Sequence, residues 1–392
     1  MNAQTARTVG FATIATAVLI SMAGFVFAGP LTPPVGPVAP TNKTLQEVEP
    51  RTPLSQSQVP ITISQPGSYY LTGNLFAPSL VTAIITVNAP GVTLDLNGFQ
   101  IDGVSEVGEA THAIKINAVA ARCKVLRGSV IEATGNGIDC DAPDSSFTEI
   151  HAARCRLDGI SIAGGAIVER CVFTGNGGDG LDSVGFERSV IRGCIATGNA
   201  GSGFEVSGVI EGCVSQANGG NGFTGGGTIT RCQATQNNGY GINISSGIVS
   251  ESDASGNTDG GIRAGSNVVV SRCVAQLNSG PGITLTWRGI ALDNNCSQNG
   301  GTFGNTQPNI LVLNNDNRID GNTCTNANRG IDVVGTGNII VRNTCSGNAT
   351  NWAIVANNRV GPIVVAPNSV AISGDTGGAG IGSTNPWSNF TF

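Results

Sequence analysis

Lysine, histidine, methionine and aromatic side chains are scarce in this 392-residue chain. It has three lysines (Lys43, Lys115, Lys124), two histidines (His112, His151) and two methionines, and Phe, Trp and Tyr make up only 5% of it. Charged residues reach only 12%. Few stretches carry the Leu, Ala, Lys and Glu content of helices, so the composition points to an all-β, turn-rich chain. A net charge of −6 and a pI near 5 argue against nucleic acid as a partner. After the N-terminal thirty residues no apolar run is long enough to cross a bilayer. Neither histidine has neighbours that would make it a convincing general base.

The N-terminus does carry an apolar run. Arg7 precedes it, and Val26-Phe27-Ala28 places modest or small residues before a cut at Gly29, the pattern of a secretory signal peptide over residues 1–28. An uncleaved anchor is the alternative reading. With cleavage, no membrane span remains and the protein is secreted, held at the cell surface or periplasmic. Residues 29–60 open with GPLTPPVGPVAPT and read as an extended Pro-rich linker.

Glycine, at 57 residues, is what the chain has in abundance, and its spacing is regular. Short Gly-apolar segments recur at Ile114, Ile138, Ile160, Leu181, Phe204, Phe223, Ile242, Ile262, Ile283, Ile310, Ile331 and Ile354, about 22 residues apart. Within each repeat an aliphatic strand end (Val168, Ile191, Ile210) is followed by Cys-x-small (Cys171, Cys194, Cys213, Cys232, Cys273) and, five residues later, by Asn (Asn176, Asn199, Asn218, Asn237, Asn278). Alternation with period two inside such short segments means strands with inward and outward faces. Three strands and three turns per repeat make one coil of a solenoid, and about a dozen coils fill residues 61–365. Residues 366–392 lose the repeat and read as a C-terminal cap, with Trp387, Phe390 and Phe392 covering the last coil.

This pattern resembles the right-handed parallel β-helix repeat of the pectin-lyase-like superfamily. The opening ITISQPGSYYLTGNL and VTLDLNGFQIDG (61–103) is similar to the first coils of secreted bacterial proteins of that kind. The resemblance implies the fold and a polysaccharide partner. It leaves activity open among lyase, hydrolase, binding module and adhesive rod. The Gly-His-Gly and Arg-Ile-Lys of polygalacturonases and the Trp-Ile-Asp-His of lyases are missing.

In stacked coils, equivalent positions form columns. The cysteines read as an inward column of small core filler, mostly free thiols, with Ser252 filling one slot and Ile131 another. The asparagines read as a turn column. Charges alternate along Glu169, Arg192, Glu211, Arg231, Glu251, Arg272 and Asp293, a ladder of exposed ion pairs. On the third strand the outward column runs Lys115, Asp139, Ser161, Asp182, Glu205, Thr224, Asn243, Arg263, and its rim carries Asp158, Asp179, Tyr240 and Trp352.

Candidate catalytic residues are therefore Asp182 and Glu205, with Lys115 the best-placed base. Asp139, Tyr240 and Arg263 are candidate ligand-binding residues. Asp158, Asp179, Asp182 and Glu205 converge on adjacent coils about 5 Å apart, which suits a Ca²⁺ clamp or a retaining glycosidase pair. A merely solvated acidic face is the alternative. Two interval expansions, NGGTFGNTQPN (299–309) and DGVSEVGEATH (102–112), could wall a groove but lie nine coils apart. The reading is of a monomeric rod with a polysaccharide-binding face, and of an enzyme only in the alternative.

Overall fold

In the computed structural model the described residues are 49–78, 80–105, 108–183, 189–301, 307–366 and 383–392. The expected signal peptide, most of the linker and much of the tail lie outside them. Residues 51–392 belong to one compact unit. It is a parallel β-solenoid. One antiparallel pair, Val104–Ser105 against Gly108–Ile116, interrupts it at the 102–112 expansion.

Following the third strand from partner to partner gives fourteen rungs, from Ile61 and Ile85 through Ile114 to Ile331 and Trp352. At about 4.8 Å per coil the rod is roughly 60 Å long. The register agrees with the sequence reading through Asp332 and departs from it in the last coil. There Trp352, not Ile354, pairs with Ile331, so Trp352 stands in the inward column and not on the rim. Thr350–Ile354 lacks the Gly-apolar marker, which is why spacing alone misplaced it.

Inward residues of the three strands fill the rod: Val168, Ile191 and Ile210 on the first, Ala196 and Ala234 on the second, Phe204 and Phe223 on the third, all nearly inaccessible. Large and small alternate across the core. Phe204 stacks on Phe223 at 5.1 Å and meets Phe173 edge-on at 6.0 Å. Facing them are Ala196, Ser215 and Ala234, which leave the room those rings need.

Two corners are held by buried side-chain ladders. In the ladder Asn176, Asn199, Asn218, Asn237, Asn257, Asn278 and Asn299, each Oδ1 from Asn199 onward accepts the N–H and the Nδ2 of the preceding coil's asparagine, as for Asn199 Oδ1 at 3.0 and 2.9 Å, and Asn176 Oδ1 accepts the Cys155 N–H. Each Nδ2 also donates to a strand carbonyl. Buried amides left unpaired are costly, so a ladder satisfying every rung favours one register.

All eleven cysteines are free and buried, in line with the sequence reading. Their place and role need correcting. Cys171, Cys194, Cys213, Cys232 and Cys273 sit at the corner before the second strand rather than within it. Two corner thiols accept the preceding coil's N–H: Cys194 Sγ from Cys171 N and Cys213 Sγ from Cys194 N, both at 3.4 Å. Further down the same corner Ser252 and then Asn294, Asn322 and Asn343 take over that bond. The thiols are rungs of a hydrogen-bond ladder, not only filler. In the coil before Cys171 the slot belongs to Ile150, next to the His151–Val172 pair, and not to Ile131. Cys296, Cys324 and Cys345 do stand two residues on, inside the second strand.

The C-terminal segment completes the rod. Asn389–Thr391 slots beside Thr344–Ser346, Asn389 ends the corner ladder by accepting from Asn343, and Trp387 lies under the Arg342 guanidinium.

Candidate functional site

The outward column of the third strand is in the expected register from Lys115 to Arg263. Its residues have different fates. Lys115 Nζ is clamped between Asp139 at 2.6 Å and Asp141 at 2.7 Å, and His112 Nε2 lies 3.4 Å from Asp139. Burial works to lower the Lys115 pKa, but hydrogen bonds and charges from both aspartates outweigh it and raise the value. An ammonium held this firmly is a poor base. Burial lowers the His112 pKa despite Asp139, so its imidazole is neutral at pH 7.

Asp158 and Asp179 are also committed. Asp158 Oδ1 accepts the Asp179 N–H at 2.7 Å, and Asp179 Oδ1 accepts the Ser202 N–H at 2.5 Å. Asn136 and Asn221 do the same for Asp158 and Tyr240. The rim is thus a third stacking device. Among the described residues no group of three or more His, Cys, Asp or Glu side chains is placed to hold a metal ion.

Asp182 and Glu205 are different. They are direct register partners, and among the described residues neither has a cationic partner. Burial, and then the charges of Asp158, Asp179 and Glu205, push the Asp182 pKa up to about 6. Asp179 is pushed up to about 6 by burial, with Glu205 and Asp158 adding to it.

Both residues line an open groove of about 1580 Å³ that also contains Thr224, Asn243, Arg263 and Trp287. The groove is made by shortening. The chain takes eight steps from Asp182 to the first-strand partner Val190. It takes only four from Glu205 to Val209 and from Thr224 to Thr228, and five from Asn243 to Ile248; Arg263 to Val269 again takes six. Three consecutive corners are therefore cut back, and a saddle results. Gly227 and Gly247 make the tightest bends. Their φ values are +117° and +114°, and a Cβ there would lie 2.1 and 1.8 Å from the previous coil's carbonyl oxygen. No residue but glycine fits.

The groove wall is mixed. Ser207, Thr224, Asn243, Ser245 and Ser246 present hydroxyls and an amide, while Val209 and Ile248 are exposed aliphatic side chains on its first-strand side. Arg263, exposed, reaches Asn243 Oδ1 at 3.4 Å. Trp287 is 45% exposed, and with the Asn314 amide turned toward it, its indole N–H donates at 3.1 Å.

Of the residues singled out from sequence, the groove gathers Asp182, Glu205 and Arg263. Lys115, Asp139, Asp158, Asp179 and Tyr240 are not among its lining. Tyr240 is half-buried against Gly260. Among the described residues of the two expansions none lines it, and residues 106–107 and 302–306 lie outside the described residues. Its signal in the sequence is the run of shortest repeats, from Phe204 to Phe223, Ile242 and Ile262. An Asn-Thr-Asp triplet at 257–259 lies nearby in sequence, but Asn257 belongs to the buried ladder.

No protein-family model matches the chain, and no curated protein sequence matches it. Solved structures do. The A-module of the Azotobacter vinelandii mannuronan C-5 epimerase AlgE4 matches with a TM-score of 0.54 at 15% identity, over 75% of this chain and 91% of that one. This is a right-handed parallel β-helix. The periplasmic alginate epimerase AlgG matches less well, with a TM-score of 0.45 at 12% identity over 75% and 83% of the two chains. The pectate lyase Pel9A follows at 0.26 and 14% over 75% and 65%. At these identities the likeness is one of fold.

Proposed function

We propose that this β-helix binds an extended polysaccharide along the groove, outside the cytoplasm, with the sugar chain parallel to the rod axis. The observation that carries the reading is the run of three shortened corners. It aligns outward hydroxyls, amides and aliphatic side chains into one trough about six coils long, or roughly 24 Å. Sugars offer hydroxyl edges and C–H faces, and the trough offers partners to both: Ser and Asn on one wall, Val209 and Ile248 on the other. Trp287 gives a flat surface for one ring, and Arg263 a charge for one carboxylate or sulfate. Mannuronan, in the name of the epimerase that shares the fold, is an acidic polymer of this class. Export is supported by the N-terminal run of residues 1–28.

The test is affinity electrophoresis of the protein through gels containing alginate, polygalacturonate or a β-1,4-glucan. Retardation is expected, with Arg263→Gln weakening binding to the two uronates about tenfold and Trp287→Ala weakening binding to all polymers that are retained. Free migration in all three gels would overturn the reading and leave a rod without a ligand.

A further inference from the structure

Resting on that groove, we infer that Asp182 and Glu205 are the acid and the nucleophile of a hydrolytic site that cleaves the bound glycan with retention of anomeric configuration. Six carboxylates lie on or beside this face, and four are already engaged: Asp139 and Asp141 by Lys115, Asp158 and Asp179 by backbone N–H groups. The two that remain are register partners on adjacent coils, and both line the groove. Neighbouring strands stand about 4.8 Å apart, close to the roughly 5–5.5 Å that separates the carboxyl groups of retaining glycosidases.

A second feature marks the same end of the groove. Ser183 lines it, is only 8% exposed, and its buried Oγ has no hydrogen-bond partner among the described residues. Buried hydroxyls are rarely left unpaired, so one at the wall of a groove is a place for a ligand group. The two carboxyl groups also differ in setting. Asp182 is half-buried among three other acids and keeps its proton to about pH 6, as a general acid requires; Glu205 is exposed to the groove.

The chemistry balances with water alone. Asp182 donates its proton to the glycosidic oxygen as the bond from that oxygen to C1 breaks, and a Glu205 oxygen bonds to C1. Water then attacks C1 and gives a proton to the Asp182 carboxylate, and the Glu205 ester bond breaks. One glycosidic bond and one water are consumed, and both carboxyl groups return to their starting states.

The experiment incubates the wild-type protein with alginate, polygalacturonate and a β-1,4-glucan near pH 5. It follows new reducing ends and the anomer of the first product by proton NMR, with binding measured in parallel. Reducing ends with retained configuration are expected from a polymer that binds. Asp182→Asn and Glu205→Gln should each lower the rate at least about 100-fold while circular dichroism shows both variants fully folded at that pH. Glu251→Gln, on the far ladder, should leave the rate unchanged. Binding without new reducing ends, an inverted product, an unsaturated product with no net hydrolysis, or full activity in either variant would overturn this inference while the groove reading stands. Absence of binding would remove both.

Discussion

Lys115–Asp139 and Asp182–Glu205 occupy the same outward column, on the same strand of the coil, two and one coils on either side of Ser161. They differ in almost everything that matters for chemistry. In the first pair the charges neutralise each other, and Asp141 and His112 close the cluster. The corners beside it are long, with nine residues from Lys115 to Lys124 and seven from Asp139 to Ser146. In the second pair like charges face each other, and the next corner is cut to four residues. An outward position on a β-helix is therefore only an address. Whether it becomes a site depends on what the neighbouring coil places opposite it and how much chain the adjoining corner contains.

The sharpest way to break this comparison is to lengthen a side chain where a shortened corner leaves it no room. Gly247→Ala puts a Cβ about where Gly227 carbonyl oxygen already lies, at a φ that alanine resists. It should cost about 3 kcal/mol or more, read from urea unfolding. Gly73→Ala, where a Cβ would meet nothing within 4 Å, should stay within about 0.5 kcal/mol. Equal effects at the two positions would mean that the saddle is not held by backbone fit.

The second test exchanges the two cations of the column. Lys115→Met leaves Asp139 and Asp141 beside each other without their cation and should destabilise by about 1–3 kcal/mol while leaving polysaccharide retardation intact. Arg263→Met removes an exposed side chain whose one hydrogen bond among the described residues is a 3.4 Å contact with Asn243. It should leave unfolding unchanged and weaken retention of uronate polymers. The reverse pattern would assign the site to the N-terminal coils.

These two tests also show what was legible in the sequence and what was not. The coil, its period and the outward column could be read from Gly-apolar spacing, because each rung repeats the same steric demand. Asparagine at a fixed corner is likewise explicit, since a short amide can both accept the preceding coil's N–H and donate to a strand carbonyl. Cysteine was half legible: its burial followed from spacing, but its bond became clear only once Asn294 and Asn322 were seen in the same corner. The groove was hidden for a different reason. Insertions such as 299–309 stand out in a sequence, whereas a missing residue or two in GGG (225–227) and SSG (245–247) does not. Pairing of Lys115 with Asp141 depends on side-chain reach across coils, which spacing does not encode.

Acid titration separates the regions by sign. Asp179 and Asp182 have folded values near 6, above the roughly 3.9 of an unfolded aspartate. The folded state thus binds more protons between those values, so their contribution is full below about pH 4 and is lost as pH rises through 6. Asp320 behaves oppositely. Burial would raise its pKa, but hydrogen bonds from Arg342 and Arg318 bring it below the usual value, so its contribution is present at neutral pH and lost on acidification. Urea midpoints between pH 3 and 7 should show Asp182→Asn flattening the decline toward pH 6 and Asp320→Asn flattening the one toward pH 3. Identical profiles for the two variants would contradict the contrast.

The smallest effect belongs to the exposed ladder on the corner before the second strand. Arg192 lies 3.5 Å from Glu169 and 3.4 Å from Glu211, Arg231 also pairs with Glu211, and Arg272 lies 2.8 Å from Glu251. The pairing is as expected, but the register steps by one residue: Glu211 faces Thr230 across the strands, and Arg231 is at the bend itself, with φ of +53°. Its guanidinium is more than half exposed, so water and salt screen the attraction. Arg231→Glu places three acids in succession at 211, 231 and 251 and should cost about 0.5–1 kcal/mol in dilute buffer, shrinking toward zero near 1 M salt. Groove binding should not change, because this corner is not part of the lining. Unchanged stability at both salt concentrations would show that the ladder is a consequence of stacking and contributes nothing to it.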